Sequence, residues 1–130
     1  MTDENRGVAL EYLKRLDTGG DFLELFAPGA AVFFPKWGEA RGIEEVRRLF
    51  GDVGAMLAGI RHDFDGITAV EQGDRVVLEG TSSGELATGE RWSDGRWCDV
   101  FEIRDGLIHR LAIYLDPDYA AADTARYPWL

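Results

Sequence analysis

The dipeptide Asp105-Gly106 lies between Val100-Phe101-Glu102-Ile103 and Leu107-Ile108, and it is the sharpest constraint in the chain. An Asp-Gly pair flanked by apolar residues favours a two-residue turn with positive φ, which forces the flanking segments into an antiparallel hairpin. Two joints upstream carry similar turn chemistry, Gln72-Gly73-Asp74 and Ala87-Thr88-Gly89-Glu90. They divide the second half into strands at about Ile60–Glu71, Arg75–Leu86, Arg91–Arg104 and Leu107–Asp116. Each strand is expected to lie beside the next.

The first half has a different period. Val8, Ala9, Tyr12, Leu13 and Leu16 recur at helical spacing between Asn5 and Asp17. Gly19-Gly20 ends that helix, and Asp21 is placed to cap a short second helix carrying Phe22, Leu25 and Phe26. Pro28-Gly29 breaks it, and Ala30 to Phe34 reads as a short strand stopped by Pro35. Ile43, Val46, Leu49, Phe50 and Val53 then form a third amphipathic stripe after Gly42. Helices first and a meander afterwards predict an α+β fold, with three N-terminal helices packed on a strongly curved, mostly antiparallel sheet. Such a sheet closes into a cone-shaped barrel with a hollow at its open end. Asp116 and Asp118 around Pro117 read as a strand-ending turn, and the tail from Tyr119 to Leu130 is expected to pack back on the body.

At 130 residues the chain is read as one domain, 1–130. Its net charge of −10, with no cluster of Lys and Arg, argues against nucleic acid and anionic membrane surfaces. No apolar run approaches a membrane span, and the polar start Met1-Thr2-Asp3-Glu4 lacks a signal core, so a cytoplasmic location is expected. Cys98 is the only cysteine, which excludes an internal disulfide. The two histidines, His62 and His109, show no metal-ligand spacing, and neither a dinucleotide nor a phosphate-loop motif is present. No cofactor or metal is expected.

Three segments carry a family resemblance. They are Tyr12-Leu13-Lys14-Arg15-Leu16-Asp17 through Leu25-Phe26-Ala27-Pro28-Gly29-Ala30-Ala31-Val32, the helix start Arg41-Gly42-Ile43-Glu44-Glu45-Val46, and Cys98-Asp99-Val100-Phe101-Glu102-Ile103-Arg104-Asp105-Gly106-Leu107-Ile108 with Tyr114-Leu115-Asp116. Together they resemble the SnoaL-like proteins of the nuclear transport factor 2-like superfamily, whose members include isomerases, cyclases, dehydratases, hydrolases and non-catalytic binders. Relative to ketosteroid isomerases of that superfamily, Tyr12 and Asp99 fall at the two oxyanion donors, but Phe34 falls at the catalytic base. Relative to limonene epoxide hydrolases, Ile113 falls at the last-strand Asp, and Glu79 and Thr81 fall at the Arg and its neighbour. Neither specialised activity is implied.

Strand alternation turns the resemblance into a pocket. With Asp99 inward, Trp97, Phe101 and Ile103 share its face, while Cys98, Val100 and Glu102 point away. Leu111, Ile113 and Leu115 follow on the last strand, with Tyr114 outside. The resemblance sets Val77, Glu79, Thr81 and Ser83 inward, although Val76 and Leu78 would make an equally apolar inner face. The expected wall is Phe34, Phe64, Trp97 and Phe101, with Trp37 at the mouth and Thr81, Ile113 and Leu115 beside them. Tyr12, His62, Asp99 and Glu79 are the candidate catalytic groups.

Each candidate also has a plain structural reading: a core tyrosine, a surface histidine, a paired carboxylate and a solvated strand residue. A lone Asp in an apolar strand is the hardest to explain structurally, because burying a lone carboxylate costs several kcal/mol unless it is hydrogen-bonded or protonated. The expected function is cofactor-free acid/base chemistry, of isomerase, cyclase or dehydratase type, on a hydrophobic oxygenated small molecule. The alternative is a non-catalytic binding or dimerisation module. A homodimer through the outer sheet face is implied by the resemblance.

Overall fold

The computed structural model describes residues 2–116. Helix α1 (Thr2–Thr18) buries Ala9, Tyr12 and Leu13, the stripe expected from the sequence. Strand β1 (Phe26–Phe34) and the short β2 (Gly38–Arg41) form a hairpin. Helix α2 (Ile43–Gly54) buries Val46 and Leu49, and Glu45 reaches back to accept the Arg41 amide at 2.9 Å. There follow β3 (Leu57–His62), β4 (Thr68–Gln72), β5 (Arg75–Leu86), β6 (Arg91–Arg104) and β7 (Leu107–Leu115). The sheet order is β2-β1-β7-β6-β5-β3, with β4 also on β5. Among the described residues only the β1–β7 pairing is parallel.

The hairpin at Asp105-Gly106 has the expected form. Both residues have positive φ, 54° and 75°, and Arg104 pairs with Leu107 across the turn. One buried row then crosses four strands: Val76 pairs with Phe101, Phe101 with Leu111, and Leu111 with Val32, all at 0% exposure. Full burial contributes about 1.5–3 kcal/mol per large side chain, so this row anchors the concave face.

Three expectations need correction. Among the described residues there are two α-helices, and the expected second of three N-terminal helices is absent: the segment after Asp21 makes only a single 3-10 turn, Leu23–Leu25. Phe26 is drawn into β1 instead, where it pairs with Ile108 of β7. Pro28 and Gly29 do not end an element but sit exposed in an irregularity within β1, between the Phe26 and Ala31 pairings. The strand expected at Ile60–Glu71 is two strands split by a 3-10 turn at Phe64–Gly66, because β5 is long enough to pair with β4 along one half and β3 along the other. Pro117 and the tail lie outside the described residues.

Near its open end the sheet bends at a bulge. Ser82 pairs with Gly95 and Gly84 with Trp92, so Ser93 and Asp94 together oppose Ser83, and Asp94 has a φ of 55°. The close approach there depends on Gly84: a Cβ would lie 2.3 Å from the Trp92 ring and 2.4 Å from the Gly59 carbonyl oxygen. Gly84→Ala is therefore expected to cost about 1–3 kcal/mol. Gly51→Ala, in open space within α2, should stabilise by about 0.5–1 kcal/mol. Urea unfolding midpoints check both; a Gly84→Ala midpoint at or above that of wild type would contradict the packing described.

Candidate active site

A cavity of about 430 Å³ lies between the helices and the concave face of the sheet. Tyr12, Leu13, Leu16 and Asp17 of α1 form one wall, and Phe50 and Val53 of α2 form another. Phe34, Ile60, His62, Trp97, Asp99, Ile113 and Leu115 line it from the sheet. Most of this surface is aromatic or aliphatic, so the few polar groups set what it can do.

Asp99 is the most isolated of them. It is 4% exposed and has no hydrogen-bond partner among the described residues. Its neighbours on the inner face are Trp97 and Phe101 along β6, with Leu78 and Ile113 paired to it across β5 and β7. Burial without compensation pushes its carboxyl up to about 8, so at neutral pH it holds its proton and is able to donate a hydrogen bond.

His62 is held in the opposite way. One oxygen of the Asp17 carboxylate contacts His62 Nδ1 at 2.5 Å, and the other accepts the His62 backbone N–H at 2.8 Å. Both side chains are nearly buried, at 7% and 10% exposure. A carboxylate only accepts, so against an ionised Asp17 it is Nδ1 that carries a proton, and in the neutral imidazole Nε2 is then the acceptor. Nε2 has no protein partner among the described residues. The His62 ring meets the Trp97 ring edge-on at a centroid distance of 5.3 Å. No hydrogen bond joins His62 to Asp99; the partner of His62 is Asp17.

Tyr12, at 1% exposure, packs edge-on against Phe22, Phe26, Phe50 and Phe101, with centroid distances of 5.7–6.1 Å. Phe101, in contact with the Tyr12 ring, is fully buried and does not line the cavity. Glu79 and Thr81 are misplaced by the sequence reading. The inner face of β5 is Val76, Leu78, Gly80 and Ser82, and exposed Glu79 pairs with Cys98 on the outside. The Cys98 thiol is accordingly raised, first by burial and then by the charges of Asp99 and Glu79. Phe64 packs against His62 at 6.4 Å but faces a separate polar recess, and Trp37 is 39% exposed, edge-on to Phe34.

Asp17 was missed. It lies four residues after Leu13, on the buried side of α1, and in the last turn, where a carboxylate opposes the helix dipole. An acid in that place is the signal that could have found it.

The raised Asp99 carboxyl makes a stability prediction. The folded state holds its proton up to about pH 8, whereas an unfolded Asp loses it near pH 4. Its contribution is intact below about pH 4 and is lost progressively as pH rises to about 8. Asp99→Asn should remove this slope and be more stable than wild type at pH 8 by about 2–5 kcal/mol. Parallel slopes for the two proteins in denaturation across that range would show that Asp99 ionises normally.

The model of the SnoaL-like domain matches residues 10–111. No curated protein matches the chain. Among solved structures, a candidate polyketide cyclase from Xanthomonas campestris is 17% identical with a TM-score of 0.79, over 88% of this chain and 92% of its own. A candidate SnoaL-like polyketide cyclase from Jannaschia is 16% identical with a TM-score of 0.75, over 93% and 94%. TerC, co-crystallised with polyporic acid, is 21% identical with a TM-score of 0.73, over 87% and 92%. At these identities the structural likeness shows the fold. Among the described residues no helix is long and apolar enough to cross a membrane. By the extent of the family match, which covers residues 10–111, the chain belongs to the SnoaL-like domain family.

Proposed function

We propose that the cavity is the active site of a cofactor-free enzyme that moves a proton on a hydrophobic, oxygenated small molecule, by isomerisation, cyclisation or dehydration. The observation carrying this reading is that an Asp17-oriented histidine and an unpartnered neutral carboxyl face one apolar cavity. His62 Nε2 takes a proton from carbon beside a carbonyl. The negative charge then builds on the carbonyl oxygen, where the Asp99 O–H donates a hydrogen bond. Asp17 stabilises the imidazolium, and His62 returns the proton elsewhere on the substrate or to a leaving hydroxyl. Relatives described as candidate polyketide cyclases, and one co-crystallised with polyporic acid, are compatible with an oxygenated ligand of this size.

On a substrate identified from a panel of cyclic ketones, His62→Gln should lower kcat by about 10²–10⁴. Asp99→Leu should lower it by about 10²–10³. The wild-type rate should fall as pH rises through about 8, where Asp99 ionises, and Asp99→Asn should lack that limb. Compounds that bind in the cavity and are recovered unchanged would make the protein a binding module instead.

We further propose a homodimer through the outer face of the sheet. Tyr114 is 50% exposed there and packs against Phe33 at 5.8 Å. Light scattering should give twice the chain mass; a monomer at micromolar concentration would overturn this.

A further inference from the structure

The cavity has a charge bias that the proposed proton transfer does not use. Among the described residues its lining carries two carboxylates, Asp17 and Asp99, and neither lysine nor arginine. Asp17 is already engaged, since it holds both the His62 ring and the His62 backbone N–H. Asp99 is 4% exposed and has no such partner, and burial alone sets its acidity. Its oxygens are nevertheless open. Among the described residues, the side-chain polar atoms that are sealed and unpartnered are Glu71 Oε1 and Trp97 Nε1. The Asp99 oxygens, equally without a partner, are not among those sealed atoms, and Asp99 lines the cavity. The surface that this carboxyl keeps faces the ligand space.

The rest of the lining suits a cation. Tyr12, Phe22, Phe34, Phe50 and Trp97 bring five aromatic rings to the same space, and ring faces attract positive charge. Of the elements around Asp99, α1 contributes Tyr12 and Asp17 and β3 contributes His62; α2, β1 and β7 bring no ionisable side chain to the cavity. A charge on His62 would already be matched by Asp17. An anionic ligand would therefore meet two carboxylates and no spare cation. The net charge of −10 works in the same direction, drawing cations toward the protein and repelling anions. A protonated amine supplies what Asp99 lacks, a donor and an opposite charge together. On binding, the Asp99 carboxyl would lose its proton to solvent and pair as the carboxylate with the intact ammonium group. The carboxyl ionises at about 8, so at pH 7 this step costs only about a tenfold loss of affinity.

We propose that the cavity takes hydrophobic amines, with the ammonium group seated against Asp99 and the carbon skeleton among the aromatic rings. The inference rests on the cavity being a ligand site, but it does not require turnover. It adds a second ligand class to the neutral ketones of the proposed reaction. Toward a ketone Asp99 is a donor that keeps its proton; toward an amine it is the counter-ion. Acids of the same size are the class that the cavity rejects.

2-Aminotetralin, 2-tetralone and tetralin-2-carboxylate share one skeleton and differ in charge at neutral pH. Calorimetry at pH 7, in two buffers of different ionisation enthalpy, reads their affinities and any proton release together. The amine should bind at least about tenfold tighter than the carboxylate. It should also release close to one proton, whereas the ketone releases none. Asp99→Asn should weaken the amine by about 10–100-fold and abolish the release. In wild-type protein, the carbon-13 signal of the Asp99 carboxyl should move to its ionised position on adding the amine and keep its protonated position on adding the ketone; this reading survives even if the variant fails to fold. Amine binding without proton release, undiminished amine binding in Asp99→Asn, or a preference for the carboxylate would overturn the proposal. A ketone that binds where the amine does not would overturn it and leave the enzymatic reading intact. Failure of all three compounds to bind would overturn it together with the cavity reading. Amine binding with proton release, but without turnover of any ketone, would leave it standing and remove only the enzymatic reading.

Discussion

A carboxyl group set in the middle of an apolar sheet face is the constraint around which the site is organised. Asp99 has Trp97 and Phe101 on either side along its strand, and Leu78 and Ile113 opposite it on the neighbouring strands. No positive charge stands in that lattice, and burial of the carboxyl goes uncompensated. The group answers by holding its proton, at a cost of roughly 4 kcal/mol of stability at pH 7 relative to an exposed aspartate. The apolar rows around it repay that cost through ordinary burial, and the row Val76–Phe101–Leu111–Val32 fixes which way every side chain on the sheet must face. A one-residue slip in register would move Asp99 to the outside and Val100 into the cavity.

The second polar element is built by the opposite rule. Asp17 and His62 satisfy each other, the Asp17 carboxylate meeting both the His62 ring and its backbone N–H, whereas Asp99 has no such partner. Its parts come from the end of α1 and the end of an edge strand, which brings it to the open side of the cavity. Two carboxylates thus serve one site with different states: Asp17 as an acceptor that sets a tautomer, Asp99 as a neutral donor. Environments that separate the behaviour of like groups in this way are what acid/base chemistry at neutral pH requires.

Much of this was legible in the chain. The Asp105-Gly106 turn fixed the β6–β7 hairpin from local chemistry, whereas the choice of inner face came from the resemblance, with alternation carrying it along each strand. The face of β5 was harder. Its inner residues run Val76, Leu78, Gly80, Ser82, so the apolar signal fades at the glycine that makes room for Trp97. Resemblance then pointed to Glu79 and Thr81, where the strand's own Val-Leu spacing pointed correctly inward. The short helix after Asp21 failed because Phe26 gains more from pairing with β7 than from one further helical turn. Asp17 escaped because an acid at the end of a helix reads as a solvated residue until the fold brings His62 against it. Long-range pairing of that kind, 45 residues apart, leaves no mark on local periodicity.

The state of Asp99 decides the account most directly. Carbon-13 NMR of the side-chain carboxyls, with the Asp99 signal assigned by its loss in Asp99→Asn, would follow its titration without any ligand. The structure predicts a midpoint near pH 8, set by burial. A midpoint near 4, the value of an exposed aspartate, would mean that the carboxyl is hydrated and charged, and that the cavity lacks the neutral donor on which the proposed chemistry depends.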